Sequence, residues 1–231
     1  MIECVKVVVF DADDTLWENE TRFRAAERKV GDILEEYVPF EEMSSSLYSI
    51  EVKNMPDYGF GAMAFTLSML ENAVKVSEGK LNAGQVADII EVGRDLLHNP
   101  STPFEGVTDT LRALRDSGLY KLVCVTKGDL LDQGHKLDRS GLRPFFDHVE
   151  IVAGKSRKEY SELCEKLRVS PSELFSVGNS FKSDIAPVLE IGGAGAHVPF
   201  HVTWELEKTE EYEHPRLFKI ESLSELKGIL L

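Results

Sequence analysis

The sequence predicts an α/β fold in which a Rossmann-like parallel sheet carries an inserted α-helical domain. Short apolar segments recur along the chain, as expected of strands that are buried on both faces. After residue 98, amphipathic helical patterns alternate with these segments, which is the order of βαβ units in a parallel sheet. Between Trp17 and His98 only helical patterns occur, so this region is predicted to be a separate helical domain.

The predicted strands are short, mostly apolar segments separated by helices. The first, at residues 5–10, is rich in valine and runs directly into an acidic segment. Later strands are predicted at residues 121–126, 148–152, 174–177 and 194–198, and a weaker one at 217–220. The helices between them are predicted at residues 106–117, 158–167, 170–173 and 184–189.

The helical region is predicted to contain helices at residues 21–37, 60–74 and 82–97. Asn82 is a suitable N-cap for the last of these, because Gln85 follows three residues later and completes a capping box. We therefore predict a catalytic core made of residues 1–16 and 99–231, with a helical cap domain at residues 17–98.

The composition excludes several classes of protein. Asp and Glu number 40 against 26 Lys and Arg, which gives a formal net charge of −14 at pH 7 and argues against a nucleic-acid partner. No apolar run of about 18 residues occurs, which argues against a membrane-spanning helix. The three cysteines show neither disulfide nor zinc spacing, and we predict a reducing, cytoplasmic location. The sequence predicts no particular oligomeric state.

Three aspartates, Asp11, Asp13 and Asp14, follow directly after the first predicted strand. Ligands of parallel sheets bind at the carboxyl ends of the strands. Carboxylates this close repel one another, so such a cluster is typical of a cation site or of a carboxylate nucleophile. Mg²⁺ suits this cluster because it prefers carboxylate oxygens together with water and phosphate. The alternative is a solvated acidic turn in which an aspartate caps a helix.

Polar residues also follow the next three predicted strands. Taken alone, each group has a simpler explanation as a helix cap or an exposed basic run. Right-handed crossovers bring the ends of parallel strands to one edge of the sheet, so the joint pattern is more specific than any single group. The groups are Thr126, Lys127 and Asp129, then Lys155 and Lys158, then Asn179 and Asp184.

The motif order DxDxT, Thr, Lys and GNxxxxD resembles the haloacid dehalogenase-like hydrolase superfamily, on its phosphatase branch. The resemblance covers the whole chain, including a helical cap of the C1 type. It implies a Mg²⁺-dependent phosphatase that hydrolyses a small-molecule phosphate ester. Asp11 matches the nucleophile that forms an aspartyl-phosphate, and Asp13 matches the general acid/base.

The resemblance also implies a Mg²⁺ site. Asp11, the backbone carbonyl of Asp13, and Asp184 match the residues that hold the ion. Asn179 stands where the family often has aspartate, so it keeps an oxygen beside the metal but removes one negative charge.

The phosphate group would be bound by Thr126 and by a lysine of the third motif. Lys155 matches this lysine better than Lys158, because Tyr160 lies five residues after Lys155, where the family usually has an aromatic or aliphatic residue. Lys127 stands where asparagine is common, and it would either add positive charge near the phosphate or point to solvent.

Other functions remain open at this point. A dehalogenase of the same fold needs no Mg²⁺ and usually has tyrosine where this chain has Asp13, whereas a phosphomutase would keep every motif. A receiver-like phospho-acceptor has no helical insert, and a non-catalytic scaffold would normally lose the nucleophile. The acidic segment at residues 205–213 is predicted to be a solvated loop or helix face.

Overall fold

A computed structural model describes residues 4–231 and confirms the predicted α/β fold. Within these residues the strands form one parallel sheet in the order β3-β2-β1-β4-β5-β6. The strands are β1 (Val7–Phe10), β2 (Lys121–Lys127), β3 (His148–Val152), β4 (Leu174–Gly178), β5 (Ala194–His197) and β6 (Leu217–Lys219). The predicted strands are confirmed, including the weak one near the C-terminus.

Strand β1 lies in the middle of the sheet and determines where the first acidic segment emerges. Phe10, its last residue, pairs in register with Cys124 of β2 and Val177 of β4. The carboxyl ends of these three strands therefore lie side by side, and the segments that follow them meet at one edge of the sheet.

The sheet is covered on both faces, which explains why β1 is apolar at every position. Val8 and Phe10 belong to one buried cluster, together with side chains of the helices α5 (Val107–Ser117) and α9 (Leu226–Leu230). Val7 and Val9 belong to a second cluster, together with side chains of α7 (Arg157–Leu167) and α8 (Ala186–Glu190). A strand with both faces buried cannot alternate polar and apolar residues.

The chain divides into two compact units. The first contains the sheet and takes in the chain up to Glu20, Ser101–Lys127 and Leu137–Leu231; the second contains Thr21–Pro100 and Gly128–Lys136. The last of these segments includes most of the helix α6 (Leu130–Arg139), which was not predicted from the sequence.

The second unit is helical and has its own apolar core. Its long helices are α1 (Glu20–Leu34), α2 (Phe40–Tyr58), α3 (Ala62–Val76) and α4 (Ala83–Leu97), and their buried side chains include Leu34, Met43, Met69 and Ile89. The capping box of Asn82 and Gln85 is confirmed, because the side chain of each residue accepts a hydrogen bond from the backbone N–H of the other. None of the helices within residues 4–231 is both long and apolar enough to span a membrane.

Candidate active site

A lysine and two aspartates form a buried ionic cluster at the carboxyl edge of the sheet. Asp11 follows β1, and its backbone N–H donates to the carbonyl of Val177 in β4 at 2.9 Å. The ammonium of Lys155, which follows β3, lies 2.5 Å from Asp11 Oδ1 and 2.8 Å from Asp184 Oδ1. All three residues are less than a tenth exposed. The structure therefore brings together side chains that are distant in sequence, since Asp11 and Asp184 are 173 positions apart.

Burial and the neighbouring charges together shift the pKa values of Asp11 and Lys155. Burial, reinforced by the neighbouring Asp184 carboxylate, raises the pKa of Asp11 to about 7, although Lys155 and the Thr15 hydroxyl oppose the shift. Burial alone would lower the pKa of Lys155, but the carboxylates of Asp11 and Asp184 outweigh it and hold that pKa well above its usual range. Lys155 is thus the cation that offsets the two buried carboxylates.

Lys155, not Lys158, is the lysine that reaches Asp11. The Lys158 side chain is 76% exposed and lies 3.7 Å from Glu162 of its own helix. Lys158 lies inside the first turn of α7, while Lys155 precedes Ser156, the residue that caps that helix.

Thr15 links Asp11 to the segment that follows β4. Its Oγ1 lies 2.7 Å from Asp11 Oδ2 and 3.1 Å from Asn179 Oδ1, and it accepts the backbone N–H of Asn179 at 3.0 Å. The single hydroxyl proton can be donated to either Asp11 Oδ2 or Asn179 Oδ1. Thr15 belongs to the DxDxT motif, but the motif alone does not indicate this link to the segment after β4.

The turn after β4 holds Asp184 close to the strand. Residues Phe181–Ile185 form one turn of π-helix, and Asp184 Oδ2 accepts the backbone N–H of Ser180 at 3.0 Å. A Cβ atom at Gly178 would lie 2.3 Å from the same carboxylate oxygen, so only glycine lets Asp184 approach. π-Helical turns of this kind occur frequently at functional sites.

Asp13 and Asp14 have different surroundings although they are adjacent. Asp13 is half-buried, and its Oδ1 accepts the indole N–H of Trp17 at 2.8 Å. Asp14 is buried and accepts the backbone N–H groups of Asn19 and Glu20 at 2.8 and 3.0 Å, which caps the first turn of α1. Burial raises the pKa of Asp14 to about 8. The simpler explanation, an aspartate that caps a helix, therefore holds for Asp14 and not for Asp11.

Replacing Asp14 with alanine is expected to lower the free energy of unfolding by about 1–2 kcal/mol, because two N–H groups at the start of α1 lose their acceptor. Asp14 also has a φ of 62°, a left-handed conformation that aspartate and asparagine tolerate better than alanine does. Asp14→Asn, which keeps an acceptor oxygen, should lose much less. Urea unfolding followed by circular dichroism measures the free energy of unfolding of both variants. Equal decreases in Asp14→Ala and Asp14→Asn would contradict a capping role.

The polar residues at and just after the end of β2 differ in their surroundings. Thr126, the predicted phosphate-binding threonine, is buried next to the last residue of the strand. The Lys127 ammonium donates to Ser183 Oγ at 3.0 Å and pairs with Glu207, so both of these contacts lead to the segments that follow β4 and β5. Asp129 is a helix cap, since its Oδ1 accepts the backbone N–H groups of Leu131 and Asp132.

The expectation that residues 205–213 are solvated is wrong for Glu207. Its side chain is only 16% exposed and is bound by Lys127, Ser180 and Ser183. The segment is acidic as a whole, and its composition gives no sign that one glutamate turns inward.

The oxygen donors at this edge suit Mg²⁺ better than a transition metal. Carboxylates of Asp11 and Asp184 converge on one ammonium, and the Asn179 amide oxygen shares the Thr15 hydroxyl with Asp11. Within residues 4–231 there is no group of three or more His, Cys, Asp or Glu side chains arranged to hold a metal. Two carboxylates with neutral oxygens are what Mg²⁺ uses when water and a substrate phosphate complete its shell.

A family model, curated relatives and a solved structure all relate this chain to the family that its sequence motifs resemble. The family model of the haloacid dehalogenase-like hydrolases matches residues 5–192. The glyceraldehyde 3-phosphate phosphatase of Methanocaldococcus jannaschii is 28% identical over 200 residues, which are 81% of this chain and 82% of the relative. That of Methanopyrus kandleri is 29% identical over 187 residues, or 78% of each chain.

A solved structure agrees over almost the full length. The crystal structure of a haloacid dehalogenase-like family hydrolase from Xanthomonas campestris superposes with a TM-score of 0.88 at 32% identity, covering 98% of this chain and 91% of the other. The predicted family is confirmed: this chain belongs to the haloacid dehalogenase-like hydrolases.

Proposed function

We propose that this enzyme is a Mg²⁺-dependent phosphatase that hydrolyses a small phosphorylated metabolite through an aspartyl-phosphate on Asp11. The observation that carries the proposal is the buried cluster in which Lys155 contacts both Asp11 and Asp184. The named phosphatases among its relatives support the same reaction class. In this proposal residues 17–98 form the cap domain of the enzyme.

Asp11 is the proposed nucleophile because it directly follows the central strand β1 and both of its carboxylate oxygens are held in place, one by Thr15 and the other by Lys155. One oxygen attacks phosphorus while the bond to the leaving oxygen breaks, which leaves the phosphoryl group on Asp11. Lys155 and Thr126 are proposed to bind the phosphate oxygens, since Lys155 supplies charge and Thr126 a hydroxyl at the end of β2.

Asp13 is the proposed general acid/base. Its Oδ1 is oriented by the Trp17 indole, and a half-buried carboxyl can exchange protons with the leaving oxygen and with water. It would protonate the leaving group first and then take a proton from the water that hydrolyses the aspartyl-phosphate.

The residues proposed to hold Mg²⁺ are Asp11, Asp184, Asn179 and the backbone carbonyl of Asp13. When bound, Mg²⁺ would offset the charge of the phosphate and of the carboxylates. The carboxylates of Asp11 and Asp184 are already held near each other by Lys155, which limits the reorganisation that binding requires.

A dehalogenase or phosphomutase of the same fold is the second candidate. Asp13 favours phosphate chemistry over dehalogenation, because a phosphate ester needs an acid for its leaving oxygen and a halide does not. A phosphomutase would use the same residues and would differ in the fate of the phosphoryl group.

Removal of metal is expected to lower turnover of an aryl phosphate by at least ~10³-fold, since Mg²⁺ contributes several kcal/mol of charge stabilisation. The assay compares enzyme in excess EDTA with the same sample after Mg²⁺ is restored. Full turnover in EDTA would contradict the phosphatase proposal and favour a dehalogenase.

The substrate is best sought among small sugar phosphates. Glyceraldehyde 3-phosphate is the first to test, because the relatives from Methanocaldococcus jannaschii and Methanopyrus kandleri are named as phosphatases of this compound. A panel that also holds nucleotides and phospho-acids, assayed with Mg²⁺ for released phosphate, ranks the candidates by kcat/KM.

A further inference from the structure

A glutamate outside the recognised motifs joins two of the strand ends that form the site. Glu207 lies in a short 3₁₀ turn, Glu205–Glu207, that follows β5. Its carboxylate accepts hydrogen bonds from Ser180 Oγ at 2.5 Å and Ser183 Oγ at 2.6 Å, and it pairs with the ammonium of Lys127. Lys127 ends β2, whereas both serines belong to the turn that follows β4.

The charges make this arrangement specific to an ionised glutamate. Burial alone would raise the pKa of Glu207, but Lys127 and the two serine hydroxyls outweigh burial and hold that pKa below its ordinary value. Lys127 also donates to Ser183 Oγ at 3.0 Å, so the ammonium and the carboxylate both bind the same turn. Charge-assisted hydrogen bonds of this kind are shorter and stronger than neutral ones.

The contacts continue from Glu207 to Asp184 through Ser180. Ser180 Oγ donates to Glu207 and accepts the backbone N–H of Ser183 at 3.0 Å. The backbone N–H of Ser180 donates to Asp184 Oδ2 at 3.0 Å, and its carbonyl accepts the N–H of Asp184 at 2.8 Å. The other oxygen of Asp184 contacts Lys155. Moving Ser180 would therefore move the Asp184 carboxylate.

A second contact fastens the same segments together. The Lys182 ammonium donates to the carbonyl of Leu206 at 2.7 Å, next to Glu207. Two side chains thus bond the segment after β5 to the turn: Lys182 from the turn and, from the segment, Glu207, whose side chain is only 16% exposed.

We propose that Glu207 is a positioning residue that fixes the Ser180–Asp184 turn and thereby sets the affinity of the enzyme for Mg²⁺. Lys127 serves as the counter-ion of Glu207 and not as a phosphate ligand. This inference rests on the proposed function, because it takes Asp184 as a Mg²⁺ residue.

The test is calorimetric titration of the whole chain with Mg²⁺, combined with kinetics on an aryl phosphate. Glu207→Gln keeps the size and one acceptor but removes the charge, and its Mg²⁺ Kd should rise about tenfold, the lower range for residues that support metal ligands. Saturating Mg²⁺ should restore kcat, and KM for the aryl phosphate should not change. A merely structural role would lower kcat at every Mg²⁺ concentration.

The matched control is Glu205→Gln, which removes the same charge two residues earlier. The Glu205 side chain is 54% exposed and pairs with Lys208, so its Mg²⁺ Kd should equal that of the wild type. Lys127→Met should raise the Mg²⁺ Kd without raising KM. If it raises KM alone, Lys127 binds substrate and the inference is overturned.

The remaining outcomes separate the two proposals. If the wild type binds Mg²⁺ and hydrolyses phosphate but Glu207→Gln binds Mg²⁺ equally well, the inference on Glu207 fails and the proposed function stands. If the wild type binds no Mg²⁺, both fail. Should Glu207→Gln not fold, Ser183→Ala keeps the pair of Glu207 and Lys127 and removes one donor; an unchanged Mg²⁺ Kd in that variant overturns the inference.

Discussion

Asp11→Asn is expected to abolish turnover, with a loss of at least about 10⁴-fold, because an amide cannot accept the phosphoryl group. Asp13→Asn should lose roughly 10²–10⁴-fold, the usual contribution of a general acid/base. The two substitutions remove the same charge two residues apart, so a difference between them reflects the position of each carboxylate and not the loss of charge alone.

The intermediate distinguishes the two roles more sharply than the rates do. With an aryl phosphate, whose leaving group needs little protonation, Asp13→Asn should still transfer the phosphoryl group to Asp11. Attack by water still needs a base, so the phospho-enzyme should accumulate as an acid-stable, hydroxylamine-sensitive adduct visible by mass spectrometry. Asp11→Asn should show no adduct. An adduct in Asp11→Asn, or one that maps to Asp14 or Asp184, would contradict the assignment.

The parts of the site that follow directly after strands could be predicted from sequence because parallel register brings strand ends together. Asp11 and Thr126 end or follow neighbouring strands, and their positions follow once each strand is located. Asp184 and Lys155 lie farther into the connecting segments, and a motif was needed to select them among nearby polar residues. The position of Tyr160 favoured Lys155 over Lys158, and in the structure Lys155 is the buried lysine that contacts Asp11, whereas Lys158 is exposed.

Glu207 could not be predicted because no local pattern marks it. It lies among several acidic residues in a segment with little regular structure, where hydrophobic periodicity gives no information. Its burial depends on Lys127 and Ser183, which are distant in sequence. Pairings of this kind are tertiary, and composition indicates only a solvated segment.

The helix α2 was also missed, for a different reason. Its sequence contains a run of serines and Pro56, which are poor helix formers, and its buried residues are few. It is stabilised by packing against α1 and α3 in the core of the helical unit rather than by propensity. By contrast, α4 carries both a periodic apolar face and a capping box, and its start was predicted to within one residue.

Lys155→Met is expected to lower both stability and activity, because it leaves Asp11 and Asp184 buried without their shared cation. Removing one partner of a buried ionic group typically costs about 3–5 kcal/mol. Loss of a group that stabilises the transition-state charge should reduce kcat by about 10²–10³-fold. Lys158→Met is the control, since its exposed pair with Glu162 contributes no more than about 1 kcal/mol.

Unfolding in urea, with EDTA and then with Mg²⁺, tests whether the destabilisation comes from the two carboxylates. If Asp11 and Asp184 repel each other in Lys155→Met, a divalent cation that binds between them should recover part of the lost stability, as binding to the folded state alone requires. The same addition should change Lys158→Met only as it changes the wild type. A Lys155→Met protein as stable as the wild type in EDTA would mean that the ammonium does not offset these charges. Loss of activity in Lys158→Met but not in Lys155→Met would identify Lys158 as the lysine that binds the phosphate.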